Sequence, residues 1–94
     1  TAVDLAERID VRAPRGESIA LAAPGVDLPV AAPGGGIVYR SGSSFAAPFV
    51  SAALALGATA DALRHGARDL GEPGRDPVYG WGLLQMPVAC ASPR

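Results

Sequence analysis

Thr1 to Leu5 and Ser18 to Ala23 are short apolar runs flanked by turn residues. The second is nearly continuous, the pattern of a strand covered on both faces, and both are expected to be buried strands. Between them Glu7, Arg8, Asp10, Arg12, Arg15 and Glu17 mix charge with Pro14 and Gly16, which predicts an exposed connection. Ala23-Pro24-Gly25 punctuates the chain, Val26 to Val30 extends again, and Pro33-Gly34-Gly35-Gly36 forms a flexible turn before Ile37, Val38 and Tyr39. The first forty residues hold no convincing helix.

The period then changes. From Phe45 to Leu56 nearly every residue is small or apolar, and a helix that is apolar all round belongs inside a core. Ser43 or Ser44 is placed to cap its free amides, Pro48 lies near enough to the start to forfeit few helix hydrogen bonds, and Gly57 is the expected stop. Thr59 then caps an amphipathic segment in which Ala60, Leu63, Ala67 and Leu70 recur at helical spacing. Arg64, His65 and Arg68 stand near its negative end, and Gly71 closes it. From Glu72 the chain is rich in turns before Leu83, Leu84, Met86 and Val88, which reads as a C-terminal strap.

Composition narrows the picture. Gly 12 and Pro 9 exceed a fifth of the 94 residues, while 49% are hydrophobic and 18% charged, as in a loop-rich globular protein. The aliphatic content leans on alanine, which buries little area per residue, so the chain alone is expected to be unstable. The net charge is -1, and the eight cations are all arginine, scattered without clusters; nothing favours nucleic acid or an anionic membrane. Ser41 to Ala60 carries no charge and is long enough to span a bilayer. Its serines, Thr59, Pro48, Gly42 and Gly57 argue against a membrane span. Cys90 has no partner for a disulfide. Thr1 stands where a start methionine would be, so the natural start is expected upstream.

Arg40-Ser41-Gly42-Ser43-Ser44-Phe45-Ala46-Ala47-Pro48 sets hydroxyls on a glycine turn that opens into the apolar helix. A serine at a helix N-terminus attacks where free amides and the positive dipole end face the developing charge, so this turn suits an acyl-transfer nucleophile. An ordinary serine cap on a glycine turn accounts for the same residues. No GxxxxGK[ST] or G-x-S-x-G occurs.

Gly42-Ser43-Ser44-Phe45-Ala46-Ala47-Pro48 resembles the Gly-Thr-Ser-x-Ala-x-Pro nucleophile motif of the subtilisin-like serine peptidases. Ala22-Ala23-Pro24-Gly25 looks like the family's Ala-Pro-Gly turn, Thr1-Ala2-Val3-Asp4 like its earlier buried strand, and Tyr79-Gly80-Trp81-Gly82-Leu83 like its closing Gly-x-Gly-Leu segment. The resemblance implies an α/β, three-layer fold with a mostly parallel sheet, of which residues 1–94 would be the C-terminal segment of a single catalytic domain. It implies that Ser44 is the nucleophile of a serine endopeptidase acting on polypeptides through an acyl-enzyme, its own amide holding the oxyanion. Gly42, Ser43, Phe45, Ala46 and Pro48 would support it. Ser43 replaces the usual threonine and keeps its hydroxyl. Phe45 replaces an oxidisable methionine, which implies tolerance of peroxide. Export from the cytoplasm, and calcium in the complete domain, are expected by resemblance alone; no cofactor is expected in this segment.

The family's aspartate, histidine and oxyanion asparagine precede its serine. Here no histidine precedes Ser44, Asp4, Asp10 and Asp27 lack an Asp-x-Gly setting, and there is no Asn. The segment alone is expected to be inactive, its partner being the remainder of the domain upstream. The rival reading is a non-catalytic remnant or binding module with a structural serine turn. His65, the only imidazole, reads as a group at a helix C-terminus rather than a base for Ser44, and Cys90 as a packed or surface thiol. Tyr79 and Trp81 read as aromatic rings laid on the core by a tight turn. Asp69, Glu72 and Asp76 fit no EF-hand loop and read as solvated surface.

Overall fold

Side chains too small to hold sheets apart set the first layer: Ala2, Val3, Ala22 and Ala23 are almost completely buried. In the computed structural model, which describes residues 1–86, strand β1 (Ala2–Val3) runs parallel to β2 (Ala23–Pro24), with Ala2 opposite Ala23 and Val3 opposite Pro24. Single bridges widen this pair. Val3 meets Ile9 antiparallel on one side, while Ala22 meets Leu83 in parallel and Leu83 meets Arg68 antiparallel on the other. A separate hairpin joins β3 (Leu28–Ala31) to β4 (Ile37–Arg40), with Val30 opposite Val38. The predicted glycine turn closes it through hydrogen bonds from Ala32 N to Gly36 O and from Gly35 N to Ala32 O, both 3.1 Å.

Helix α1 (Ser43–Ala55) packs on β1 and β2. The core gathers Ala2, Leu21, Ala23, Ala46, Ala53, Leu63 and Leu84, with Val50, Ala58 and Ala67 against it. At the end of α1, Gly57 N donates to Leu54 O and Ala58 N to Ala53 O, the paired bonds that satisfy the last carbonyls of a helix ending in glycine. Helix α2 (Ala60–Gly66) starts as predicted, Thr59 Oγ1 accepting from Ala62 N at 3.0 Å. It stops four residues before Leu70 because Arg68 exchanges two backbone hydrogen bonds with Leu83, which takes the chain into the sheet.

Several expectations are corrected. In place of a three-layer fold around a mostly parallel sheet, the described residues form two helices and two two-stranded sheets, one parallel and one antiparallel. The predicted strands shorten because their ends find other partners. Leu5 is 98% exposed, and Asp4 folds the chain back: its Oδ1 accepts from Ala6 N and Arg8 N, and its Oδ2 from Arg8 Nε at 3.0 Å. Ser18 to Ala23 is buried at Ile19, Leu21, Ala22 and Ala23, yet Ile19 N donates to Gly16 O and Ala20 O accepts from Trp81 N, so only its end joins a strand. Nor is α1 buried all round: only Ala46 and Ala53 are.

The strap meets its prediction of an apolar contact at Leu84, which is buried, but not at Met86, which is exposed; Val88 lies outside the described residues. Tyr79 is half-buried, but Trp81 faces solvent rather than the core.

The hydrogen bonds that Asp4 accepts, from the Arg8 amide above all, hold its carboxyl below the ordinary 3.8. A depressed carboxylate pKa stabilises the folded form above the unfolded value and stops doing so as pH falls through the folded one. The 4–8 loop is therefore expected to loosen only below about pH 4, seen as faster amide exchange, after correction for intrinsic rates, at Ala6 and Arg8. Unchanged protection down to pH 2 would contradict this.

Candidate functional site

The serine turn is held from the loop after β2. Gly42 N donates to Gly25 O at 2.8 Å, and Ser41 Oγ accepts from Asp27 N at 2.9 Å. Gly42 itself is the N-cap of α1, and no side chain caps the helix, which corrects the expectation that Ser43 or Ser44 does so. Both serines lie inside the first turn, past the one position from which a side chain reaches back to free amides.

The consequence for Ser44 is chemical. Its hydroxyl is not used in capping, and the residue is exposed. The first amides of a helix have no acceptor within it. Phe45 N bends back to Gly42 O at 3.0 Å, which leaves the amides of Ser43 and Ser44 as open donors among the described residues. Pro48, inside the helix, has no N–H to donate to the Ser44 carbonyl. Beside the turn runs a groove of about 360 Å³, bordered by Ile19, Leu21, Ser43, Ala47 and Val50 among others.

Gly25 fixes this geometry. A Cβ there would lie 2.6 Å from Ala2 Cβ, 2.9 Å from Gly42 O and 3.0 Å from Ala46 Cβ, so the start of α1 rests directly on the β2 backbone. Ala46 is buried in that contact as expected, whereas Ala47 and Pro48 are exposed and Ser43 and Phe45 half-buried. Gly25→Ala is expected to cost ~2–3 kcal/mol through overpacking and to shift the serine turn. An unchanged denaturation midpoint would refute the close approach.

No described side chain hydrogen-bonds to Ser44, and the only imidazole, His65, is exposed on α2. The turn therefore supplies a hydroxyl and open amides but no base. Among the described residues no group of His, Cys, Asp and Glu side chains is placed to hold a metal ion. Cys90 lies outside the described residues.

Asp76 departs from its expected place on a solvated surface, being only 5% exposed. Its Oδ1 accepts from Val78 N and Tyr79 N, both at 2.8 Å, and its backbone exchanges two hydrogen bonds with Gly80. The signal was present in Asp76-Pro77-Val78-Tyr79-Gly80, since an aspartate opening a Pro- and Gly-bearing turn bonds its own backbone two residues on. Asp69 likewise turns its carboxylate to Gly74 N, at 2.6 Å.

No family model matches the chain. A curated relative is the serotype-specific antigen 1 of Mannheimia haemolytica, 43% identical over 68 residues, which cover 62% of this chain and 7% of that protein. The chain thus matches a small fraction of the relative's length. These findings overturn the subtilisin-like assignment: the motif at Gly42 to Pro48 comes with no family match, and the relative carries the name of an antigen. A glycine turn running into an alanine-rich helix is short enough to recur wherever a helix must start close against a sheet.

Proposed function

We propose that these residues carry the nucleophile of a serine-dependent acyl transfer, with Ser44 attacking a carbonyl and peptide-bond hydrolysis through an acyl-enzyme as the reaction. The observation that supports this is the state of Ser44: its hydroxyl is exposed and takes no part in capping, beside its own open amide at the start of α1. A developing oxyanion beside that amide gains a hydrogen bond and the positive end of the helix dipole.

Attack requires a group that accepts the hydroxyl proton, and none of the described residues is placed to do so. The base and its orienting acid are assigned to other parts of the natural polypeptide, meaning the protein in which these 94 residues occur. The length of the relative favours that context. The second reading, a serine turn kept only for structure, is favoured by the missing base.

A fluorophosphonate labels serines that have been activated. Treatment of the natural polypeptide, followed by peptide mass analysis, is expected to place the label on Ser44 and to leave the isolated 94 residues unlabelled. An unlabelled natural polypeptide would favour the structural reading.

A further inference from the structure

Asp76 is a buried carboxyl group, 5% exposed, that engages one of its two oxygens. Oδ1 accepts from Val78 N and Tyr79 N, both at 2.8 Å, while Oδ2 is buried with no hydrogen-bond partner among the described residues. Gly71 packs against both this oxygen and the Tyr79 ring: a Cβ on it would lie 2.9 Å from Tyr79 Cδ2 and 3.3 Å from Asp76 Oδ2. An unpaired buried oxygen is costly, and keeping a group for chemistry is one reason a fold retains it. The next residue is Pro77. A peptide bond to proline is a tertiary amide, and its nitrogen departs as a secondary amine that readily takes up a proton. The carbonyl of that same bond is engaged as well, since Gly80 N donates to Asp76 O at 2.9 Å. Close packing fixes the donor: Gly80 has φ 66°, and a Cβ there would lie 2.4 Å from Ala20 O. On the far side of the bond, Pro77 O accepts from Gly16 N at 2.8 Å.

We propose that the Asp76–Pro77 bond is a self-cleavage site, opened by the Asp76 carboxyl group acting as a nucleophile within its own residue. Oδ2 bonds to the Asp76 carbonyl carbon, the C–N bond to Pro77 breaks, and the carboxyl proton passes to the departing nitrogen. Water then opens the cyclic anhydride, which leaves Asp76 with a C-terminal carboxyl and Pro77 with a free secondary amine. The amides of Val78 and Tyr79 hold the carboxyl in one orientation, so little rotational freedom is lost on attack. The Gly80 amide steadies the charge that gathers on the carbonyl oxygen. The cut parts residues 1–76 from the stretch that carries Leu83, whose bridges to Ala22 and Arg68 hold the two pieces together while the fold persists.

The test incubates the natural polypeptide in mildly acidic buffer, where carboxyl groups carry a proton part of the time, and reads the fragments by mass under denaturing conditions. Cleavage at Asp76–Pro77 is expected to be first order, indifferent to dilution, and about tenfold or more faster than in an unstructured peptide of residues 70–84. Asp76→Asn keeps an oxygen for the Val78 and Tyr79 amides and is expected to abolish the cut. Pro77→Ala keeps the carboxyl group but replaces the leaving nitrogen, and is expected to slow cleavage about tenfold. A rate no higher than in the peptide, or cleavage that survives Asp76→Asn, would overturn the proposal. Should Asp76→Asn fail to fold, Pro77→Ala decides alone, an unchanged rate being the adverse result. A rate that falls on dilution, or is lost in Ser44→Ala, would also overturn it, because the cut would then belong to a peptidase. Undiminished cleavage in Ser44→Ala is the expected result, so this site and the proposed nucleophile can each fail without the other.

Discussion

Ser44→Ala is expected to lower peptide-bond hydrolysis by the natural polypeptide by about 10⁶-fold, the scale of losing a nucleophile that works with a base, while leaving its melting temperature within about a degree. The second half of this expectation comes from the site itself. The hydroxyl is exposed and caps nothing, and alanine is the better helix former, so no folding interaction is lost. Ser41→Ala should behave in the opposite way. Its Oγ accepts from Asp27 N, and removing it should loosen the turn while retaining a measurable rate. Activity that survives Ser44→Ala would end the proposal that this serine reacts, and a large fall in stability would show that its role is structural.

Gly82→Ala is expected to have the largest effect on folding. Residue 82 has φ 125°, where a side chain is strained, and a Cβ there would lie 2.3 Å from Arg68 O and 2.7 Å from Arg68 C. These are backbone atoms held by the two hydrogen bonds between Arg68 and Leu83, so they cannot move without breaking the bridge. Strain of ~1–3 kcal/mol and a comparable clash together reach the lower end of the stability of a small domain, about 5–15 kcal/mol. Gly74→Ala is the matched control. It too has positive φ, 82°, but nothing stands within 4 Å of its Cβ, so it should cost only about 1 kcal/mol. Denaturant titration of the two variants in the natural polypeptide decides the matter, and equal midpoints would show that the Arg68 contact is not limiting.

Local chemistry was legible in the sequence where a side chain acts on its own neighbourhood. The Thr59 cap, the glycine stop after α1 and the turn at Pro33 to Gly36 are such cases. Features decided by distant residues were not. Gly66, where α2 ends, is a local stop signal that the spacing of Leu63, Ala67 and Leu70 masks, but the pairing of Arg68 with Leu83 that takes the chain into the sheet has no local sign. Ser18 to Ala23 has the composition of a strand, yet Trp81 and Gly16 take its hydrogen bonds. The apolar run of α1 correctly marks a helix, but the same run cannot say how much of its cover lies nearby. At the candidate site, the exposed serine beside a sharp turn was readable. That Gly42, rather than a serine, occupies the cap depended on where the loop at Gly25 anchors the chain.

The central layer also sets an order of events. Residues 1–3, 22–24, 68 and 82–84 meet in it, and its pairing of Ala22 with Gly82 and Leu84 joins chain positions about sixty residues apart. Such high contact order slows folding, because the entropy of closing the loops is lost before the pairing gains anything. During synthesis, which proceeds from the N-terminus at about 5–20 residues per second, β1 and β2 emerge several seconds before Leu83 can complete their layer. Among the strand pairs, the β3–β4 hairpin has partners that are near neighbours and can form at once. The nascent chain therefore carries unpaired strand edges until the strap arrives, and it is in that interval that holding chaperones have most to protect.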